Sequence, residues 1–504
     1  MEQKNIETYE ETAPEIATQD KVEVFQPASD NQLALTRKQQ ILIMLPLLIG
    51  GFIALLNETI LNVAFPNLMS SLGVSLSTVQ WLGTAYLLIV GILVPVTAFL
   101  IKTFTTKKLY LFAMLFFTLG TTLCGISQSF TLLLISRILQ GVGTGMLLPI
   151  MMDTVMAIFP PEKRGSAMGI SMMVVIAAPG VGPTLGGYIL KYLDWHWLFF
   201  IMLPIAVVAI VLGMLYLKSY STLTKPKIDV FSILLSTVGF GGLIFGISSI
   251  ETLGLWNVTT FVPLFCGLIS LFIFSKRQLS MKQPMLELRV LRYPVFLFGT
   301  IILFLSFLIP FATNIILPTY LQNALNINVG TAGLSMLPGS IMMVFLVPLS
   351  GRFYDKIGAK PIVVAGFTPL IISMFFFSRI STSTELTTII VFHILMCIGI
   401  SLIITPLQTN SLNQLPKKYM AHGVAILNTT QQIAASFGSS LFIGLMGARY
   451  VKYLARIENP DLSQQQLATI EGTTTSFTVA LGVVLIGFLI SFFIKRRTEI
   501  SSEN

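Results

Sequence analysis

Charged side chains are scarce in this chain. Asp, Glu, Lys and Arg make up 11% of its 504 residues, whereas hydrophobic residues make up 54%. Because a soluble domain carries about 25% charged residues, the composition excludes a soluble globular protein and predicts an integral membrane protein. The net charge of +9 does not indicate a nucleic-acid partner, because the basic residues fall in short loops between apolar segments, a distribution typical of membrane topology.

Cysteine is rarer still, and the usual motifs of catalysis are missing. Cys124, Cys266 and Cys397 all lie in apolar runs, so neither a disulfide framework nor a thiolate metal site is predicted. The chain also lacks a phosphate-binding loop, a metal-ligand cluster and a nucleophile–base pair. No enzyme activity and no cofactor are therefore predicted, and export driven by ATP would need another protein.

What the chain does contain is long apolar segments. Fourteen of them are long enough to span a membrane as helices. Their limits are 41–65, 79–101, 109–127, 130–152, 167–190, 197–217, 229–250, 258–275, 294–320, 331–350, 361–378, 387–409, 422–448 and 474–494. Lys and Arg concentrate in alternate loops, on the side of both termini, so both termini are predicted to be cytoplasmic.

An internal repeat divides the chain. Residues 136–143 (SRILQGVG) resemble residues 392–399 (FHILMCIG), and such repeats are common in transporters. The predicted architecture is two six-helix bundles plus an inserted helix pair. Its parts are an acidic, disordered cytoplasmic tail (1–40), a first bundle (41–218), the inserted seventh and eighth helices with their loops (219–292), a second bundle (293–494) and a cytoplasmic tail (495–504).

One carboxylate stands out in the first segment. Counted from Ile41, Glu58 lies roughly 25 Å along a helix, past the middle of a ~30 Å hydrocarbon layer. A charge at that depth must face water, find a partner or take up a proton. All other acidic residues are expected in tails, loops or helix ends, so Glu58 is the predicted site of proton coupling.

Other polar residues lie on segments that can line a cavity. Arg137 sits well inside the fourth segment and is a cavity candidate, the alternative being a side chain that extends toward the outer surface. The repeat makes His393 the counterpart of Arg137, and it is either a second proton site or a structurally satisfied histidine. The full predicted substrate cavity comprises Asn57, Asn62, Tyr86, Arg137, Gln140, Asn314, Tyr320, Gln408, Asn410, Asn428 and Gln431.

Two further motifs predict conformational change. In residues 178–187 (APGVGPTLGG), the spacing of four puts Ala178, Gly182 and Gly186 on one bare helix face, which permits close approach of another helix. In residues 351–360 (GRFYDKIGAK), Asp355 can sit at a helix N-terminus and pair with neighbouring bases. The complete set is Ala178, Pro179, Gly182, Pro183, Gly186, Gly187, Gly351, Asp355, Lys356 and Gly358. In the corresponding first loop (98–108), Lys102 stands at the position of the acid.

These motifs resemble those of the major facilitator superfamily. Residues 52–66 are similar to the first-helix signature of its fourteen-helix EmrB/QacA-type drug:proton antiporters, with Asn57 at the aspartate position and the acid following as Glu58. The Asn-Glu-Thr variant resembles the lincomycin-efflux-like branch.

The resemblance implies a major facilitator fold with fourteen transmembrane helices. It also implies a multidrug efflux antiporter of the plasma membrane that exports amphipathic small molecules by alternating access. The proton gradient is its energy source, its partners are cargo, protons and the lipid bilayer, and it acts as a monomer. The alternatives are a dedicated exporter of an endogenous metabolite, a proton-coupled uptake symporter and a non-transporting membrane sensor.

Overall fold

Helices account for all the regular secondary structure that the computed structural model describes. It describes residues 35–218, 229–254, 257–281, 284–457 and 461–494. Most of the predicted acidic tail, the predicted tail 495–504 and the loop 219–228 lie outside these ranges. The all-α prediction is therefore confirmed for the described part of the chain.

Sixteen α-helices follow one another along the described residues. They are α1 (Arg37–Ile60), α2 (Phe65–Leu72), α3 (Leu76–Thr103), α4 (Thr106–Gly125), α5 (Phe130–Ile158), α6 (Arg164–Tyr192), α7 (Trp197–Phe200), α8 (Met202–Tyr216), α9 (Val230–Leu253), α10 (Val258–Ser280), α11 (Pro294–Asn323), α12 (Val329–Ile357), α13 (Ala359–Phe377), α14 (Leu386–Asn413), α15 (Met420–Leu454) and α16 (Leu462–Ser491). Short 3-10 helices occur at Leu61–Ala64, Pro161–Lys163, Leu288–Arg292 and Lys417–Tyr419.

Twelve spans in the described ranges are long and apolar enough to cross a membrane, with α7 and α8 together forming one of them. Two more long helices, α6 and α15, lie where segments 167–190 and 422–448 were predicted. The protein is therefore a multi-pass membrane protein, and the full count of fourteen spans stays a prediction.

The first helix begins earlier than expected and is broken near its end. Thr36 and Gln39 form a reciprocal capping box, which starts α1 at Arg37, so the predicted tail boundary at residue 40 is wrong by four residues. α1 ends at Ile60 and passes through a 3-10 turn into α2. The segment 41–65 is therefore not one continuous α-helix, and the break comes after Ile60, two residues beyond Glu58.

Two groups of helices pack internally. In the first group, α1–α8, helix α1 packs against α5, α6 and α8, while α3 and α4 pack against α5. In the second group, α11–α16, helix α11 packs against α14, α15 and α16, and α13 packs against α14 and α16. Helices α9 and α10 pack on each other, and α9 also touches α3 and α15.

The two groups meet along a few helices. α6 packs against α12 and α14, while α3 and α5 pack against α15. The closest approach is between α6 and α12, where a Cβ added to Gly169 would lie 2.8 Å from Cα of Pro348. The polar side chains described next lie inside the first group or where the two groups meet.

Candidate functional site

Arg137 lies at the centre of the polar site in the first group. Its side chain is fully buried and does not extend to the surface. Nη1 donates to Oδ1 of Asn57 at 2.5 Å and to Oε1 of Gln140 at 2.9 Å, and Nε donates to the carbonyl of Leu82 at 3.4 Å. The guanidinium carbon lies 4.1 Å from the ring centroid of Tyr86, a cation–π distance. The structure thus brings four of the predicted cavity residues together.

Further hydrogen bonds hold Tyr86 and Gln140 in place. The hydroxyl of Tyr86 lies 3.0 Å from the carbonyl oxygen of Ala54 and 2.8 Å from the hydroxyl of Thr144. Nε2 of Gln140 donates to the hydroxyl of Thr121 at 2.8 Å. Because Tyr86 lies on α3 and these partners come from α1, α4 and α5, the arginine site joins four helices.

Glu58 lies beside this hydrogen-bond network but is not part of it. It follows Asn57 on α1, its side chain is partly exposed, and it is attracted electrostatically to Arg137. No hydrogen bond joins its carboxylate to another residue in the described part of the chain. A partly exposed carboxylate next to a buried cation can change protonation state without breaking the surrounding hydrogen bonds.

The bare face of α6 lies against α1 directly after Glu58. Ala178 is fully buried. A Cβ added to Gly182 would meet Thr59 and lie 3.2 Å from the backbone nitrogen of Ile60, and one on Gly186 would lie 2.9 Å from Cγ1 of Ile60. These small residues set the distance between α1 and α6. Gly187 is exposed, and a Cβ added to it would meet none of the described atoms within 4 Å, while the side chains of Pro179 and Pro183 lie outside the described part.

Asp355 joins the two groups of helices. At the C-terminal end of α12, its carboxylate accepts hydrogen bonds from the backbone N–H of Gly165 at 2.9 Å, from that of Ser166 at 2.8 Å and from the hydroxyl of Ser166. These donors form the first turn of α6, where a negative charge is stabilised. The carboxylate does sit at a helix N-terminus, but that helix is in the other group.

The expected pairing of Asp355 with the neighbouring bases is wrong, because Arg352, Lys356 and Lys360 are exposed and the carboxylate bonds to the first turn of α6 instead. The two glycines of the motif have separate roles. Gly351 lies so close to Gly165 that an added Cβ would collide with its backbone, and Gly358 ends α12 with φ of 83°. We call the contact of Asp355 with Gly165 and Ser166 the aspartate latch.

A second polar cluster lies where α5, α14 and α15 meet. Nε2 of Gln408 and Nδ2 of Asn428 contact the sulfur of Met152 at 3.5 Å and 3.2 Å. All three side chains are buried. Oε1 of Gln408 and Nδ2 of Asn410 have no hydrogen-bond partner among the described residues. Buried polar atoms of this kind are costly, and separation of the two groups would expose them to water or to a ligand.

Tyr320, Asn314 and Gln431, also predicted to line the cavity, do not join either cluster among the described residues. Tyr320 is buried, and its hydroxyl donates to the carbonyl of Ser381 at 2.7 Å, so it holds the loop at Ser381, and its place in the cavity stays a prediction. Asn314 is exposed on α11 and Gln431 is half-buried on α15. The side chain of Asn62 lies outside the described part.

His393 is enclosed in the second group. Its ring is 2% exposed, and Nε2 lies 3.8 Å from Sγ of Cys397. A Cβ added to Gly339 of α12 would lie 2.6 Å from its Cε1, so the histidine fills the space that this glycine leaves. Nδ1 has no hydrogen-bond partner among the described residues.

Sequence reasoning missed two acidic residues inside helices. Asp153 is buried near the end of α5, and Glu471 lies in α16, where its carboxylate pairs with Arg449 at 2.5 Å. Both helices extend beyond the predicted segments 130–152 and 474–494. The expectation that every acid other than Glu58 lies in a tail, loop or helix end is therefore wrong. A search for polar residues just beyond each apolar segment would have found Asp153.

The structure packs membrane-spanning helices around a buried arginine and places a carboxylate beside it. This arrangement is that of a multi-pass membrane protein of the transporter class. The chain belongs to the Major Facilitator Superfamily, whose family model matches residues 47–439. It is 44% identical over 457 residues to the lincomycin resistance protein LmrB of Bacillus subtilis (strain 168), covering 90% of this chain and 95% of that protein.

More distant similarity extends the same picture. The multidrug export protein EmrB of Escherichia coli (strain K12) is 28% identical over 415 residues, which cover 81% of each chain. These relatives confirm the resemblance to the EmrB/QacA-type, lincomycin-efflux-like branch. The crystal structure of the human organic anion transporter MFSD10 (TETRAN) superimposes with a TM-score of 0.63 at 14% identity, covering 90% of this chain and 99% of that one. It confirms the major facilitator fold.

Proposed function

We propose that the protein is a proton-coupled antiporter that exports amphipathic small molecules by alternating access, and that it has no enzymatic activity. The observation that carries the proposal is the position of Glu58, partly exposed, attracted to the buried Arg137 and directly preceding the stretch of α1 on which Gly182 packs. Export as the direction of transport is supported by the similarity to LmrB and EmrB, whose names describe resistance and multidrug export.

Proton exchange at Glu58 would change the charge of its carboxylate and so the packing of α1 against α5. When Glu58 is ionised, its attraction to Arg137 holds α1 and α5 together. A proton on Glu58 removes that attraction and leaves Arg137 with its neutral partners Asn57 and Gln140. Because α1 rests on the small residues of α6, and α6 begins at the aspartate latch, a shift of α1 can reach the contact between the two groups.

The charge of the site sets the expected class of cargo. The carboxylate of Glu58 and the guanidinium of Arg137 nearly cancel, so neutral, zwitterionic or anionic amphiphiles are favoured over strongly cationic dyes. Gln408 and Asn410 offer unpaired amide groups, and the sulfur of Met152 offers a soft, polarisable contact. An amphipathic antibiotic with several hydroxyl or amide groups, such as lincomycin, fits this lining.

The orientation follows from the distribution of basic residues. With both termini in the cytoplasm, the aspartate latch closes the cytoplasmic side, and cargo would leave on the outer side. The protein would act in the plasma membrane as a monomer, with the proton gradient as its energy source and without a cofactor or a nucleic-acid partner.

Transport into everted membrane vesicles tests this function. Lincomycin uptake should follow an imposed pH gradient that is acidic inside the vesicle and should stop when an uncoupler collapses the gradient. Glu58→Gln should abolish coupled uptake with expression unchanged, whereas Glu471→Gln, a control glutamate on α16, should leave it intact. Uptake that is independent of the gradient would contradict proton coupling. Uptake driven by the reverse gradient, acidic outside the vesicle, would indicate a symporter.

A further inference from the structure

A second contact joins the two groups where α3 ends and α15 begins. Nζ of Lys102 lies 2.6 Å from Nε2 of His422 and donates to the carbonyl of Lys418 at 3.2 Å. The ring of His422 is 2% exposed. Lys102 occupies the position where the first loop would carry an acid matching Asp355. The two groups are therefore joined both at the aspartate latch and at the contact of Lys102 with His422.

The contact relates the protonation state of the histidine to that of Lys102. A charged ammonium group has three donors and no lone pair, so opposite a charged Lys102 we assign Nε2 of His422 as the acceptor and the imidazole as neutral, with its proton on Nδ1. Nδ1 has no hydrogen-bond partner among the described residues. If a second proton were added to the ring, both ring nitrogens would become donors, and neither would have an acceptor in the closed contact.

The surroundings oppose a second positive charge. His422 is the third residue of α15, where the positive end of the helix dipole disfavours cations. Lys102 is attracted to Glu287 and Asp153, and Glu287 also pairs with Arg289 at 3.5 Å, so these carboxylates already have cationic partners. The charged side chains on the elements around the beginning of α15 are Lys102, Asp153, Glu287, Arg289, Arg292, Lys417 and Lys418.

We propose that Lys102 and His422 form a proton-sensitive gate between the two groups of helices, closed while His422 is neutral and opened when His422 gains a proton. Protonation would replace a charge-assisted hydrogen bond with two cations in contact, and separation of α3 from α15 would let water solvate both. The place of this gate in a transport cycle rests on the proposed function. In that cycle, acid on the cytoplasmic side would favour the conformation that loads cargo.

Distance measurement across the gate tests the proposal in the full chain. Spin labels at Lys108→Cys and Lys417→Cys, two exposed positions on opposite sides of the contact, are introduced after the three native cysteines are replaced by alanine. The protein is held in lipid nanodiscs without cargo or gradient at pH ~8 and pH ~5.5, on either side of the ordinary histidine pKa of ~6.5. The longer-distance population should rise at low pH, by up to about tenfold per pH unit for one coupled proton.

Variants distinguish the gate from a general effect of acid. His422→Gln keeps an acceptor for Lys102 and cannot gain a proton, so it should stay closed at both pH values. Lys102→Met removes both the closing bond and the repulsion, while burial still opposes a charge on His422. Its pH response should therefore be smaller than that of the unmodified chain, which gives a second test if the His422 variant folds poorly. His196→Gln, which alters a histidine hydrogen-bonded to Asp194 and Ser127, should respond as the unmodified chain does.

A pH response that persists unchanged in His422→Gln would overturn the proposal, as would an unmodified chain whose distances do not change with pH. Neither result depends on cargo or on a gradient. The proposed function is tested separately by uptake into vesicles, so a failed gate and a failed antiporter give different outcomes. A responsive gate in a chain that does not couple uptake to protons would refute the antiporter alone.

Discussion

Replacing Asp355 with alanine should release the aspartate latch. The change removes the acceptor of three hydrogen bonds from Gly165 and Ser166 and the negative charge at the beginning of α6. A hydrogen bond to a charged group contributes about 1.5–3 kcal/mol, and a charge at a helix N-terminus about 0.3–1 kcal/mol. Because Asp355 is half-buried and water can replace part of what is lost, we expect a total of about 2–4 kcal/mol.

That free energy belongs to the closed conformation alone, so its loss shifts the conformational equilibrium. Since 1.4 kcal/mol is a factor of ten, the unlatched population should grow by about thirtyfold to several hundredfold. Spin labels at Lys163→Cys and Lys360→Cys, both exposed, report the separation of the two groups. Asp355→Asn keeps one acceptor oxygen and should give an intermediate result.

Lys356→Ala is the matched control, because its side chain is exposed and lies next to Asp355 in the chain. Its distance distribution should equal that of the unmodified protein. The reasoning would be refuted by an Asp355→Ala distribution that does not move, or by a Lys356→Ala distribution that moves as far.

Three further predictions concern other parts of the molecule. Gly182→Val should force α6 away from α1 and lower export at least about tenfold in the vesicle assay, whereas Gly187→Val, at an exposed position without near neighbours, should have no effect. Arg137→Lys should not restore the export lost in Arg137→Gln, because one ammonium cannot bond the side chains of Asn57 and Gln140 and also replace the bond from Nε to Leu82 and the stacking on Tyr86. Burial raises the pKa of Asp229, but hydrogen bonds from Ser232 and Arg277 outweigh it and hold the pKa below its usual value. The stability from Asp229 is therefore present above the unfolded pKa of ~3.9 and lost as pH falls through the folded pKa. Asp229→Ala should cost about 1–2 kcal/mol at neutral pH and progressively less in acid, measured by thermal unfolding.

Local properties of the sequence predicted much of the fold. Apolar length and the distribution of Lys and Arg indicated membrane helices, and the spacing of Ala178, Gly182 and Gly186 indicated a bare helix face. Both features depend only on neighbouring residues and on helix geometry. The ends of helices were less predictable, because the apolar segment stops before the hydrogen-bonded helix does. Asp153, for example, lies just beyond an apolar segment but still within α5.

Contacts between distant parts of the chain could not be predicted in the same way. Asp355 was expected to pair within its own loop, yet its partners lie on α6, and the contact between Lys102 and His422 joins residues more than three hundred positions apart. The motif at 351–360 indicates that Asp355 lies at a helix end. Which residues bond to Asp355 depends on which helices pack together. The clustering of Arg137 with Asn57, Tyr86 and Gln140 likewise depends on the packing of three helices.

Proton release on cargo binding tests the role of Glu58 most directly. In weakly buffered solution near neutral pH, a pH indicator should report release of up to about one proton per protein when lincomycin binds the purified chain, since one carboxyl exchanges its proton for cargo. Glu58→Gln should bind lincomycin, as calorimetry can verify, and release none. Equal proton release from Glu58→Gln and from the unmodified protein would contradict the assignment of Glu58 as the exchanging group.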